Sequence, residues 1–132
     1  MRLALDTNAY TAFQRGQAAG LKQLIDTAEL IVLPFIVEAE LRAGFKKGSR
    51  EPENHAKLSK FMSSNRVLVL WADEATNEIY ARIWAELSAI GALIPTNDIW
   101  IAAICLQNNL ALATADTHFK KVPFIATVSA DS

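Results

Sequence analysis

Two apolar runs lying more than a hundred residues apart each end by delivering an aspartate: LALDTN (Leu3 to Asn8) and LALATADT (Leu110 to Thr117). A third carboxylate, Asp98, follows a proline-threonine turn in PTNDIW, at the head of another apolar segment. In open parallel sheets, groups carried at the carboxyl ends of strands collect near the point where strand order reverses. If the strands ending at Asp6 and Asp116 are neighbours, their acids converge, and Asp98 can project to the same edge. Three carboxylates packed together repel, raise one another's pKa and weaken the fold unless a cation joins them. An oxygen-only cluster suits Mg2+ or Mn2+, because hard divalent ions prefer carboxylate and water to imidazole or thiolate. Each acid also has a purely structural reading. Asp6 is a good cap for a helix over TNAYTAF, Asp98 suits an N-cap or first turn where the helix dipole favours it, and Asp116 suits the opening of a turn. Their joint placement on one edge is what favours chemistry. A fourth acid is offered by VEAELRAG, where Glu38 and Glu40 lie two apart on a helix and diverge by about 200°. At most one can address the cluster, and the helical wheel does not choose between them; an ion-paired face, with Arg42, is the alternative for either.

The elements that would position these groups can be read along the chain. Leu3–Leu5 is a short buried strand, and the helix after it stops near Gly16. Leu21, Leu24, Ile25 and Ala28 recur at helical spacing before the β-rich LIVL (Leu30 to Leu33). Pro34 stands where a first helical turn tolerates it, and FIVEAELRAGFKKG continues as a helix ending at Gly44 or Gly48. SREPENHAKLSKFMSSN is polar at its start and helical in its second half, a mobile connection or one arm of a helical hairpin. RVLVLW reads as a strand, and DEATNEIYARIWAELSAIG as a helix with an acid-rich first turn and a terminal glycine. Thr96, Asn97 and Asp98 form a cap cluster before a run that is apolar almost all round, a central buried helix. LALATAD and PFIATV supply two further strands. Near-continuous apolar strands separated by helices indicate parallel pairing with both faces covered, so the fold class is α/β, with 1–132 read as one domain.

Composition narrows the function classes. At 52% hydrophobic residues, with 20% charged and both signs interspersed, the chain has enough apolar surface for a layered core. No apolar stretch approaches the roughly 18 residues needed to cross a bilayer. The start, MRLALDTN, places an acid where a secretory peptide would continue its apolar core, so a cytoplasmic location is expected. The net charge of −1 speaks weakly against a nucleic-acid binder; committing four acids to a metal site would leave a net positive remainder, with basic residues gathered in RAGFKKGSR and FKKV. The single cysteine, Cys105, sits in an apolar segment and reads as a small buried hydrophobe. His55 and His118 lack zinc-site spacing and lie among polar residues, so both read as surface histidines, while Trp71, Trp84 and Trp100 read as core. No GxGxxG, GxxxxGK[ST], GxSxG or CxxC motif is present, so dinucleotide, P-loop, nucleophile-elbow and zinc readings all lose support.

Taken in order and spacing, LALDTN, AELRAG, PTNDIWIAA and LATADTHF resemble the four motifs of the PIN domain, in particular the small VapC-type toxins of prokaryotic toxin–antitoxin pairs. The resemblance runs over essentially the whole chain. It implies a three-layer α/β/α sandwich around a central parallel sheet of four to five strands. It also implies a Mg2+- or Mn2+-dependent endoribonuclease, usually dimeric and neutralised by a VapB-like antitoxin that covers the active-site groove. By this likeness the metal-site and catalytic acids are Asp6, Glu40, Asp98 and Asp116, which selects Glu40 over Glu38. Many relatives carry Asn where Asp116 stands. Thr114 matches the family's threonine two residues earlier and is expected to hydrogen-bond near the site, with Thr7 in a supporting role. Arg42, Lys46, Lys47 and Arg50 are the candidates for contacting substrate phosphates. Two rival expectations are a PIN-like module that binds RNA or protein without cleaving, and a different Mg2+-dependent phosphohydrolase on the same sheet edge.

Overall fold

The computed structural model describes residues 1–132. The LAL run lies in β1 (Arg2–Leu5), followed by α1 (Thr7–Gln14), α2 (Ala19–Thr27) and β2 (Leu30–Pro34). After α1 the chain turns through Gly16 at φ 65°, a backbone conformation that glycine adopts without a Cβ clash. Pro34 closes β2 and caps α3 (Phe35–Lys47), so the proline sits just outside the helix rather than within its first turn. The polar segment expected as a mobile connection or one arm of a helical hairpin forms that arm and is helical from its third residue, Glu51. Pro52 in the first turn and Glu51 and Glu53 at the positive end of the dipole open α4 (Glu51–Met62), which pairs with α3 as a helical hairpin. Phe61 anchors α4 against α1 through edge and tilted contacts with Tyr10 and Phe13.

The second half supplies β3 (Val67–Leu70), α5 (Glu74–Ala89), α6 (Thr96–Asn108), β4 (Ala111–Thr114), a 3-10 turn (Thr117–Lys121) and β5 (Ala126–Ser129). A reciprocal capping box between Asp73 and Thr76 fixes the start of α5, and Asn109 in the left-handed region ends α6. All five strands are parallel, in the order β3-β2-β1-β4-β5. The chain therefore builds outward from β1 to β3 and then crosses back to lay β4 against the other side of β1. Right-handed crossovers place α1–α4 on one face and α5 and α6 on the other, giving the α/β/α sandwich. Leu3, Ala4, Leu5, Ile31, Val32, Leu33, Leu112 and Ala113 are buried on both faces, which explains why the central strands read as unbroken apolar runs.

The indoles do not join that core. Trp71 is 70% exposed and Trp84 46% exposed, and Trp100 is half-buried. Small and branched aliphatic side chains, Ala102 and Ala103 of α6 among them, fill the layers, and the large rings collect at the rim. There Trp71 stacks on Phe35 and Trp100 packs on Tyr80. Cys105 is buried as expected, and burial, reinforced by the charge of Asp6, pushes its thiol up to about 12.

Candidate active site

Asp6 is the first residue beyond β1. Its backbone N–H donates to the Ala113 carbonyl of β4 at 3.3 Å, and its own carbonyl accepts the Tyr10 N–H at 3.1 Å, so the chain passes from sheet to helix within one residue. The side chain divides its two oxygens. Oδ1 accepts the Ala9 N–H at 2.8 Å and caps α1, while Oδ2 accepts the Thr114 hydroxyl at 2.5 Å. Thr114, the last residue of β4, also accepts the Asp116 N–H at 2.9 Å. One buried hydroxyl thus ties together the ends of the two neighbouring strands.

Asp116 repeats the division of labour: its Oδ1 accepts the His118 N–H at 2.8 Å and caps the 3-10 turn. Asp98 is the third residue of α6, whose N-cap is Pro95 with no side-chain cap. The expected cap cluster therefore lies inside the first turn. The Asp98 N–H is satisfied by the Pro95 carbonyl at 3.0 Å, and its carboxylate is free of capping duty. Glu40 reaches in from α3, accepting the Thr7 hydroxyl on Oε1 at 2.6 Å and the Asn97 amide on Oε2 at 3.2 Å. Glu38, a little over half a turn away, pairs instead with Arg42 at 2.8 Å.

Asp6, Glu40, Asp98 and Asp116 line one cleft of about 450 Å3, together with Thr7, Asn8, Asn97, Ile101 and His118. No lysine or arginine lines it. Burial holds the Asp6 carboxyl above the usual range, and the charges of Asp116 and Glu40 push it further, against the pull of the Thr114 hydroxyl and Ala9 N–H. Asp98 is raised in the same way, by burial first and then by Asp116 and Glu40, with His118 opposing. Four carboxylates on one cleft, two of them raised by burial and by their acidic neighbours, with no basic side chain beside them except one imidazole, form a donor set that fits a hard divalent cation such as Mg2+ or Mn2+.

The expected basic contacts lie elsewhere. Arg42 is committed to Glu38 and lies 3.3 Å from His55 Nδ1, and Lys46 pairs with Glu51 at 2.8 Å. Neither they nor Lys47 line the cleft. Arg50 lines a second groove, of about 490 Å3, that shares Thr7 and Glu40 with the acid cleft and also carries Arg15 and Lys57. Arg15 stands one and two turns beyond Thr11 and Thr7 on one helical stripe, a spacing that marks the groove-facing side of α1.

Two further residues escaped the sequence reading. Asn97 was legible only as a cap, yet its amide holds Glu40. His118 is no isolated surface histidine, although its side chain is 44% exposed: the 3-10 turn packs against α6 and sets Nδ1 3.2 Å from both Asp98 Oδ2 and Asp116 Oδ1. The spacing of one aspartate and one histidine two residues apart carries no metal-site signature, so only the fold reveals it. His55 is likewise engaged, against Phe45 and beside Arg42 and Glu51.

Plasmid stability protein StbB of Pseudomonas syringae pv. tomato is 36% identical over 124 residues, 87% of this chain and 88% of that protein. Ribonuclease VapC4 of Mycobacterium tuberculosis is 30% identical over 90 residues, 68% of this chain and 69% of that protein. The fold superposes on a chain of the VapBC2 complex from Rickettsia felis, solved bound to a DNA fragment from its promoter, with TM-score 0.87, 25% identity and 98% of each chain covered. The PIN domain matches residues 3–125. A parallel sheet that reverses its order beside β1, with four acids lining one cleft and this match spanning the same segments, means that the chain belongs to the PIN domain family.

Proposed function

We propose that the protein is a cytoplasmic, divalent-metal-dependent endoribonuclease and the toxin of a VapBC-type pair, held in check by a VapB-like antitoxin and active as a homodimer. The observation that carries the reading is the convergence of Asp6, Glu40, Asp98 and Asp116 on one cleft that contains no lysine or arginine. The similarity to proteins named ribonucleases supports RNA as the substrate, and the similarity to chains of VapBC complexes supports the antitoxin. Exposed Trp71, continued by the half-buried Phe35, Trp100 and Tyr80, supplies an apolar face suited to self-association.

In this reading Asp6, Asp98 and Asp116 would hold Mg2+ or Mn2+. When bound, such an ion supplies charge neutralisation at the scissile phosphodiester and an acidified water to attack it. Glu40, steadied by Thr7 and Asn97, would complete the ligand set or orient a water beside it. Thr114 keeps Asp6 and the backbone of Asp116 in register. Arg15, Arg50 and Lys57, in the adjoining groove, contact the phosphates of the strand that leads into the cleft. Purified protein is expected to cleave RNA with Mn2+ or Mg2+, to stop on addition of a chelator, and to lose cleavage on Asp98→Asn with its circular dichroism unchanged. Metal-independent RNA binding with no cleavage, unaffected by Asp98→Asn, would replace this reading with a non-catalytic module.

A further inference from the structure

The four acids are an all-oxygen set, but the cleft contains one nitrogen donor. His118 Nδ1 is equidistant, at 3.2 Å, from Asp98 Oδ2 and Asp116 Oδ1. A single Nδ1–H donating to one carboxylate would settle at about 2.7–2.9 Å from it. Two equal and longer separations are instead close to the edge between adjacent ligands around one ion with bonds of about 2.1–2.2 Å, which is about 3 Å. One ligand atom from each of Asp98, Asp116 and His118 lies within 4.8 Å of the others, so the three can face a common centre. The placement is not loose: the His118 N–H is bonded to Asp116 Oδ1 at 2.8 Å, which seats the imidazole beside the carboxylate that caps its own turn.

We propose that His118 Nδ1 is a ligand of the divalent ion, making the centre a mixed nitrogen–oxygen site that favours Mn2+ over Mg2+. This rests on the metal-dependent reading given above and concerns which ion that site selects. Imidazole is a good ligand for first-row transition metals and a poor one for Mg2+, which keeps its waters and takes oxygen. The carboxylates alone give little such preference; the nitrogen introduces it.

The test is metal binding by the purified full chain, measured by calorimetry with Mn2+ and Mg2+ separately, on wild type, His118→Gln, His118→Ala and Asp98→Asn. Pulsed electron paramagnetic resonance of bound Mn2+ adds a direct readout of nitrogen coordination. His118→Gln and His118→Ala are expected to weaken Mn2+ at least about tenfold while leaving Mg2+ within about twofold, and to abolish the nitrogen coupling seen in wild type. The inference is overturned if the two variants keep wild-type Mn2+ affinity, if they weaken both ions equally, or if wild type shows no nitrogen coupling. Should Asp98→Asn abolish binding of both ions while the His118 variants change neither, the metal-dependent nuclease reading stands and the role of His118 falls. If wild type binds neither ion, both fall together.

Discussion

Asp98→Asn is the substitution that most directly separates fold from charge. The ligand atoms of Asp98 and Asp116 lie within 4.8 Å of one another, where two unit charges repel by about 0.9 kcal/mol in bulk water and about 3.5 kcal/mol at an effective dielectric near 20. The side chains are 17% and 36% exposed, so an intermediate value near 2 kcal/mol applies. Weakening the contact with His118 offsets about 0.5–1 kcal/mol of the relief. Metal-free Asp98→Asn should therefore be about 1 kcal/mol more stable than wild type at neutral pH. For 132 residues that is a rise of about 4 °C in melting temperature. The gain has a definite pH dependence. Because the folded pKa of Asp98 lies above its ordinary value of 3.8, the native state holds the proton more tightly than the unfolded chain. Wild-type stability is thus eroded as pH rises from 3.8 through the raised value, and the advantage of asparagine is absent in acid and complete at neutrality. Thermal melts in chelator at pH 3.5 and 7.5 measure this, and excess Mn2+ should reverse the order by stabilising only wild type. A variant less stable than wild type in chelator at pH 7.5, or equally favoured at both pH values, would refute the argument that the acids repel.

Three other outcomes follow from the same structure. Thr114→Val removes the hydroxyl that bridges Asp6 and the Asp116 N–H and should cost about 2–3 kcal/mol in urea denaturation, whereas Thr114→Ser keeps both contacts and should lose about 1 kcal/mol or less. With its pKa pushed up to about 12, Cys105 should resist iodoacetamide at pH 8 in the native state and react at the ordinary rate only in denaturant; rapid native labelling would show that the α6 interior opens. Phe124 is fully exposed yet sits at φ 66°, so Phe124→Gly should raise stability by about 0.5–1 kcal/mol despite removing a ring, as measured by thermal melts.

How much of this was legible depended on whether a feature was local. The strands were readable because burial on both faces demands unbroken aliphatic runs, and α5 because its stripe and caps agree. The start of α4 was not, since SREPEN has the composition of a loop and becomes helical through its first-turn proline and acids and the packing of Phe61 on Tyr10 and Phe13. Asp6, Asp98 and Asp116 could be named from their places at element ends, whereas Glu40, in the body of α3, was separated from Glu38 only by the family resemblance, and the company of these acids could not be read at all. His118 depends on a 3-10 turn docking on α6, Asn97 on a turn of α6 facing α3, and Lys57 on α4 folding back along α3. The tryptophans misled because an indole counts as apolar in any pattern, while the tight contact of small side chains within the layers leaves it only the rim.

The choice between structural and chemical roles for these aspartates turns out to be no choice at all. A carboxylate has two oxygens and about four lone pairs, more than any cap requires. Asp6 spends Oδ1 on the N-cap of α1 and Asp116 spends Oδ1 on the 3-10 turn, and neither commitment exhausts the group. Capping fixes the side-chain torsions, so the remaining lone pairs point into the cleft without a further entropic cost for ordering them. The same bond that starts a helix therefore pre-aims a ligand, and the echo of an apolar strand ending in Asp marks the two places where sheet gives way to turn over the switch point. It follows that Asn, which caps about as well as Asp, should preserve the fold at position 6 while removing the charge. Asp6→Ala, lacking both oxygens, should lose about 1 kcal/mol of cap energy as well, and a comparison of the two by melting and by metal affinity separates the role of the backbone cap from that of the charge.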